Sequence, residues 1–139
     1  MPYCSDCGEW CCYGEKIYFS TAERARLGFA EHKSRDDGSC QFLVNGLCSI
    51  YESRPLECRI FPFDFEEVDG QLDWIIWEQC PASPAVEVES SLDYLEREVI
   101  PKYGERYIWD YLEYSDALGP SKYDDMEFRI IRPVKIHNI

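Results

Sequence analysis

The spacing of apolar positions changes several times along this chain, and each change marks an element. Lys16 to Phe19 read as a short strand. Ser20-x-x-Glu23 then forms a capping box, in which the hydroxyl accepts from the Glu23 backbone N–H while the carboxylate reaches back to that of Ser20. A helix of two to three turns, over Thr21 to Phe29, is predicted to follow. Glu31 to Ser39 (EHKSRDDGS) is polar throughout and reads as a loop, which places His32 among solvated residues. Cys40 to Val44 and Leu47 to Tyr51 are short apolar runs around Asn45-Gly46, a strong signal for a two-residue hairpin turn. Arg54-Pro55 ends the second run, and Pro55 can open a helical turn, Leu56 to Arg59, that carries Cys58 back toward the hairpin. Phe63 to Val68 and Leu72 to Trp77 flank Asp69-Gly70 as a second hairpin.

The last third has another period. Val88, Leu92, Leu95 and Val99 recur at helical spacing up to a boundary at Pro101. After Gly104 a second helical stripe runs through Tyr107, Ile108, Tyr111, Leu112, Ser115 and Leu118 to Gly119-Pro120, and its aromatic residues read as core. Phe128 to Ile136 is β-prone but interrupted by Pro133, hence an edge strand or an extended packing arm. No internal repeat or low-complexity segment is present. The expected fold is α+β, a single domain over 1–139. A small cysteine-rich metal-binding module with short hairpins (1–81) would pack on a C-terminal helical pair with an extended tail (82–139).

Composition narrows the chemistry. With 139 residues and 45% hydrophobic content, a real core is affordable without covalent staples. Acidic residues outnumber basic ones 27 to 14, a net charge of −13 that repels phosphate backbones and argues against a nucleic-acid partner. No apolar run approaches a membrane span, and the start MPYCSDC has neither a basic segment nor an apolar one. A cytoplasmic location with reduced thiols is therefore expected, and four disulfides are the less favoured reading of eight cysteines.

Seven of those cysteines lie in CSDCGEWCC (Cys4, Cys7, Cys11, Cys12) and in the segment from Cys40 through Cys48 to Cys58; the eighth, Cys80, precedes a proline. Cys4-x-x-Cys7 lets two sulfurs grip one ion or two corners of a cluster. Cys11-Cys12 is a vicinal pair whose side chains diverge, suited to two sites or to one ligand and one buried thiol. An ideal hairpin turn pairs Leu43 with Cys48 and Cys40 with Tyr51, which puts Cys40 and Cys48 on opposite faces. Either a bulge re-aims one of them or they serve different sites. Thiolates favour zinc and iron–sulfur clusters, and eight of them match two four-thiolate sites or one site with spare thiols. An all-thiolate site needs compensating charge, for which Arg54 and Arg59 beside Cys58 are the candidates; surface ion pairs with Glu52 or Glu57 are the alternative. Tyr51, Phe61 and Phe63 would wall the site from water.

These segments resemble the cysteine-cluster family of zinc- or iron-chelating CxxCxxCC domains (YkgJ-like). The phrase C-x-IY-x-x-RP-x-x-CR-x-FP is matched by Cys48, Ile50, Tyr51, Arg54, Pro55, Cys58, Arg59, Phe61 and Pro62, and the resemblance spans roughly residues 4 to 81. The usual CxxCxxCC is here CxxC-x3-CC, with Trp10 in the extra space. Flagellin lysine methylases look similar in this domain and are associated with an iron–sulfur cluster. The resemblance implies a metal-binding protein holding one or two iron–sulfur clusters of 4Fe-4S type, or else zinc. The expected role is electron transfer, or assistance to a modification or maturation enzyme, with a protein partner and without membrane. A structural zinc module for protein–protein interaction and a methyltransferase are the alternatives; no glycine-rich cofactor loop supports the last.

Overall fold

The computed structural model describes residues 17–33, 35–37, 39–45, 47–77, 87–118 and 127–136. Its helices surround a three-stranded antiparallel sheet, an α+β arrangement. Helix α1, Thr21–Leu27, begins with the capping box: Ser20 Oγ accepts from Glu23 N at 3.2 Å, and Glu23 Oε1 accepts from Ser20 N at 2.9 Å. It ends two residues earlier than the sequence suggests, before Gly28, whose φ of 80° closes it in a left-handed cap. Residues 17–19 form no strand. Ile17 N–H donates to His32 and Tyr18 N–H to Glu57, so side chains satisfy a backbone that a strand neighbour would otherwise pair.

Strands β1 (Leu43–Val44) and β2 (Leu47–Cys48) form the first hairpin, with Leu43 opposite Cys48. A single 3₁₀ turn, Tyr51–Ser53, leads to helix α2, Leu56–Ile60. Strands β3 (Phe63–Val68) and β4 (Gln71–Trp77) pair in full register from Phe63–Ile76 to Val68–Gln71. Asp69 and Gly70 both take positive φ, 51° and 83°, as a type I′ turn requires. Strand β5, Phe128–Pro133, completes the sheet on the free edge of β4, with a register shift at Trp74/Ile75. Pro133 sits at the end of this edge strand, where its missing donor costs no ladder bond.

Pro101 does not stop its helix. Helix α3, Val88–Tyr94, continues through a π-helical turn, Leu95–Val99, into α4, Ile100–Tyr103. The widened turn starts a new helical segment just before Pro101, whose absent N–H is then in a first turn that needs none. Gly104 separates α4 from α5, Glu105–Leu118.

Alternate residues of the β3–β4 hairpin (Phe63, Phe65, Leu72, Trp74, Ile76) pack against Leu92, Leu95, Val99, Ile100 and Ile108, with Leu56 and Ile60 of α2 in the same cluster. The aromatic stripe of α4 and α5 is core, as its spacing implied, but its hydroxyls also reach into the first half of the chain. Tyr107 donates to Glu23 at 2.6 Å, Tyr103 to the Arg54 carbonyl at 2.6 Å and Tyr111 to Asp64 at 2.8 Å. β5 is held by charge as well as by its ladder. Glu96, only 2% exposed, accepts from both Arg132 Nη atoms at 2.8 and 3.1 Å, from Trp74 Nε1 at 2.9 Å and from Lys135 N at 2.7 Å. Burial alone would raise this carboxyl, but the donors outweigh it and leave its pKa below the usual value. Among the described residues no helix is long and apolar enough to cross a membrane.

Candidate metal centre

Cys40 owes its position to a turn. Instead of extending the ladder toward Tyr51, residues 40–43 close a turn in which Leu43 N–H donates to the Cys40 carbonyl at 3.0 Å. This frees Cys40 from strand alternation, and Cys40, Cys48 and Phe61 all pack against the buried Leu43. The turn is clamped from outside by Arg35, which donates from Nη1 to the Leu43 carbonyl at 2.7 Å and from Nη2 to that of Gln41 at 2.9 Å. The polar loop is therefore a brace for the cysteine turn. Among the described residues, Cys40, Cys48 and Cys58 form no disulfide with one another.

His32 differs most from its expected place. It is 3% exposed, not solvated, and its ring stacks beside Phe19 and Phe42. Nδ1 accepts from Ile17 N–H at 3.0 Å, so in a neutral ring the proton resides on Nε2. Nε2 lies 3.1 Å from Cys40 Sγ and donates to it. Phe42 N–H adds a second donor to the same sulfur at 3.4 Å. A metal-bound histidine shows the reverse polarity, donating from its distal nitrogen and coordinating with the other. His32 is thus a hydrogen-bond donor to the Cys40 sulfur. Sequence reasoning missed it because the surrounding residues are polar; its one signal was a lone imidazole eight positions before a cysteine.

Cys58 lies on α2, where its N–H bonds the Pro55 carbonyl at 3.1 Å. The two flanking arginines part company. Arg54 is 6% exposed, its guanidinium stacked 3.8 Å from the Tyr51 ring centroid, with Nε on the Tyr51 carbonyl at 2.8 Å and Nη1 on the Cys58 carbonyl at 3.4 Å. Its charge is fixed beside Cys58 by a ring face and two carbonyls. Arg59 instead donates from Nη2 to the Glu52 carbonyl at 2.8 Å and lies over the Tyr103 ring at 5.9 Å. Of the three aromatic residues expected to wall the site, Phe61 packs with the cysteines, Tyr51 carries Arg54, and Phe63 belongs to the main core.

Two carboxyls next to this turn are held protonated more readily than usual. Burial pushes Glu57 up to about 8, against the Tyr18 N–H that bonds its Oε1 at 2.7 Å, with Asp64 adding repulsion. Burial likewise pushes Asp64 up to about 6, although Tyr111 and the Phe65 N–H both donate to it. At neutral pH Glu57 is therefore held largely protonated, whereas Asp64 is largely ionised.

Cys4, Cys7, Cys11, Cys12 and Cys80 lie outside the described residues, and the described residues by themselves bring no three His, Cys, Asp or Glu side chains into a metal-holding group. What is present suits a soft ion: the Cys40 sulfur receives two N–H donors, which favour negative charge on it, and thiolate is the donor that zinc and iron–sulfur clusters take. A family model described as "CxxCxxCC: Putative zinc- or iron-chelating domain" matches residues 3–81. No curated protein and no solved structure matches the chain.

Proposed function

Because the chain belongs to the CxxCxxCC family of zinc- or iron-chelating domains, we propose that its cysteines carry an iron–sulfur cluster, one or two of 4Fe-4S type. The ligands in this reading are Cys4, Cys7, Cys40, Cys48, Cys58 and Cys80, with at least one of Cys11 and Cys12. When bound, the group supplies one-electron redox chemistry, for electron transfer or for assisting a modification or maturation enzyme as protein partner. The observation that carries the reading is the pair of N–H donors on Cys40 Sγ. Hydrogen bonds to a cluster sulfur stabilise the added negative charge of the reduced state and so set its potential, a use that redox-inert zinc does not have. Arg54 orients its charge beside Cys58, and Leu43 supplies apolar cover against which Cys40, Cys48 and Phe61 pack.

Anaerobically purified protein should be brown, with broad visible absorption and iron and acid-labile sulfide in near-equal amounts. Colourless protein with stoichiometric zinc would replace this reading with that of a structural zinc module.

A further inference from the structure

A cleft of about 430 Å³ opens between the start of α1, the Tyr51–Ser53 turn, α2 and α4. No described cysteine lines it. Arg26, Arg54, Arg59 and Lys102 face Glu23 and Glu52 across it, four formal positive charges against two negative, hence +2 in a chain whose net charge is −13. Such a local inversion focuses anions where the rest of the surface repels them.

Three of these cations are not consumed by ion pairs. Among the described residues none of Arg26, Arg59 and Lys102 pairs with a carboxylate. Glu23, by contrast, is engaged by the fold, accepting from Ser20 N–H and from the Tyr107 hydroxyl. Arg59 is incompletely satisfied: Nη2 reaches the Glu52 carbonyl, while the buried Nε has no hydrogen-bond partner. That buried N–H is costly but out of reach of a ligand, so Arg59 faces the cleft through its terminal nitrogens. The Tyr103 ring, over which Arg59 lies, gives the cleft an apolar wall.

We propose that this cleft binds a small dianionic phosphate-type oxyanion between Arg59, Arg26 and Lys102. A carboxylate offers its acceptors in one plane, whereas a tetrahedral oxyanion presents oxygens in several directions, as cations converging from three helices require. The formal +2 of the lining matches a dianion, and the volume suits a small organic phosphate as well as the free ion. Nothing in this inference depends on which metal the cysteines hold.

Titration calorimetry on the metal-loaded protein at constant ionic strength tests it, with inorganic phosphate, phenyl phosphate and succinate as probes. Saturable one-to-one binding of at least one phosphate is expected. Tighter binding of phenyl phosphate points to an organic phosphate as the natural source, and equal binding to the free ion. Arg59→Met should weaken binding about tenfold or more, the effect of losing a charge-assisted hydrogen bond. Arg26→Met, at an exposed position of α1, should weaken it less, and Arg106→Met on the far-exposed surface of α5 not at all. Metal content, measured in parallel, should match wild type in Arg26→Met and Arg106→Met, which separates failure of the cleft from failure of the cysteine site. Absence of saturable phosphate binding, tighter binding of succinate, or wild-type affinity in both Arg59→Met and Arg26→Met would overturn the proposal.

Discussion

His32→Leu separates what this ring does for the fold from what it does for the metal. The substitution removes both nitrogens from a site that is 3% exposed while keeping an apolar side chain against Phe19 and Phe42. Loss of Nδ1 leaves the Ile17 N–H without the acceptor it has at 3.0 Å, and an orphaned donor of this kind costs about 1–3 kcal/mol. That loss should appear in urea unfolding of metal-free protein. Loss of Nε2 removes the 3.1 Å donor to Cys40 Sγ, and groups that support a metal ligand typically matter by about 10–100-fold in affinity or activity. Metal release during a chelator challenge should therefore accelerate by about that factor. His32→Gln, which retains one acceptor and one donor, should recover part of both losses. The two assays can disagree, and the disagreement is informative. If His32→Leu unfolded more easily but held its metal as long as wild type, the contact with Cys40 would be packing alone and the reasoning would fail.

Two further outcomes concern the charged groups of the core. Arg132→Met strips the cation from the buried Glu96 carboxylate, leaving only Trp74 Nε1 and Lys135 N–H on it, and should cost about 3–5 kcal/mol in denaturant unfolding. Adding Glu96→Leu should restore much of this; a single-variant loss below about 1 kcal/mol would refute the account. Because the wild-type Glu96 pKa is depressed, its contribution is present above the unfolded value of 4.5 and is lost as pH falls through the folded value. Asp64 acts in the opposite sense. Its folded pKa of about 6 exceeds the unfolded 3.8, so the fold holds a proton that the unfolded chain has released, and stability falls as pH rises across that window. At roughly 1.4 kcal/mol per unit, the fall approaches about 3 kcal/mol. Asp64→Asn keeps an acceptor for Tyr111 and should flatten this part of the profile, leaving the slope toward pH 8 that belongs to Glu57. An unchanged slope between pH 4 and 6 would count against it.

Much of the framework was legible along the chain because its signals are local. The Ser20–Glu23 box, the Leu43–Cys48 hairpin pairing, the Asp69-Gly70 turn and the stripe from Tyr107 to Tyr111 each depend on residues within a few positions, and each appears where the spacing put it. The edge strand ending at Pro133 follows in the same way. The cysteine-cluster motifs, too, could be read as a metal-chelating domain before any geometry was known.

Other features depend on partners that sequence spacing does not encode. His32 sits in a run of charged residues, and only Ile17, fifteen positions earlier, together with Phe19 and Phe42 makes it a buried donor. Cys40 and Cys48 share Leu43 because Arg35 clamps a turn that ideal strand alternation would not contain. Pro101 passes through its helix because a π-turn opens ahead of it. Arg54 and Arg59, alike in the motif, diverge according to what lies within reach, the Tyr51 ring for one and the Tyr103 cleft for the other. The sequence by itself therefore determined most of the elements, the Asp69-Gly70 turn and the metal-chelating family, since backbone preference and cysteine spacing belong to the residues themselves. Burial, protonation and side-chain direction were decided by the tertiary structure, because each is set by the nearest group in space, which for Tyr107 and Glu23 lies 84 positions away along the chain.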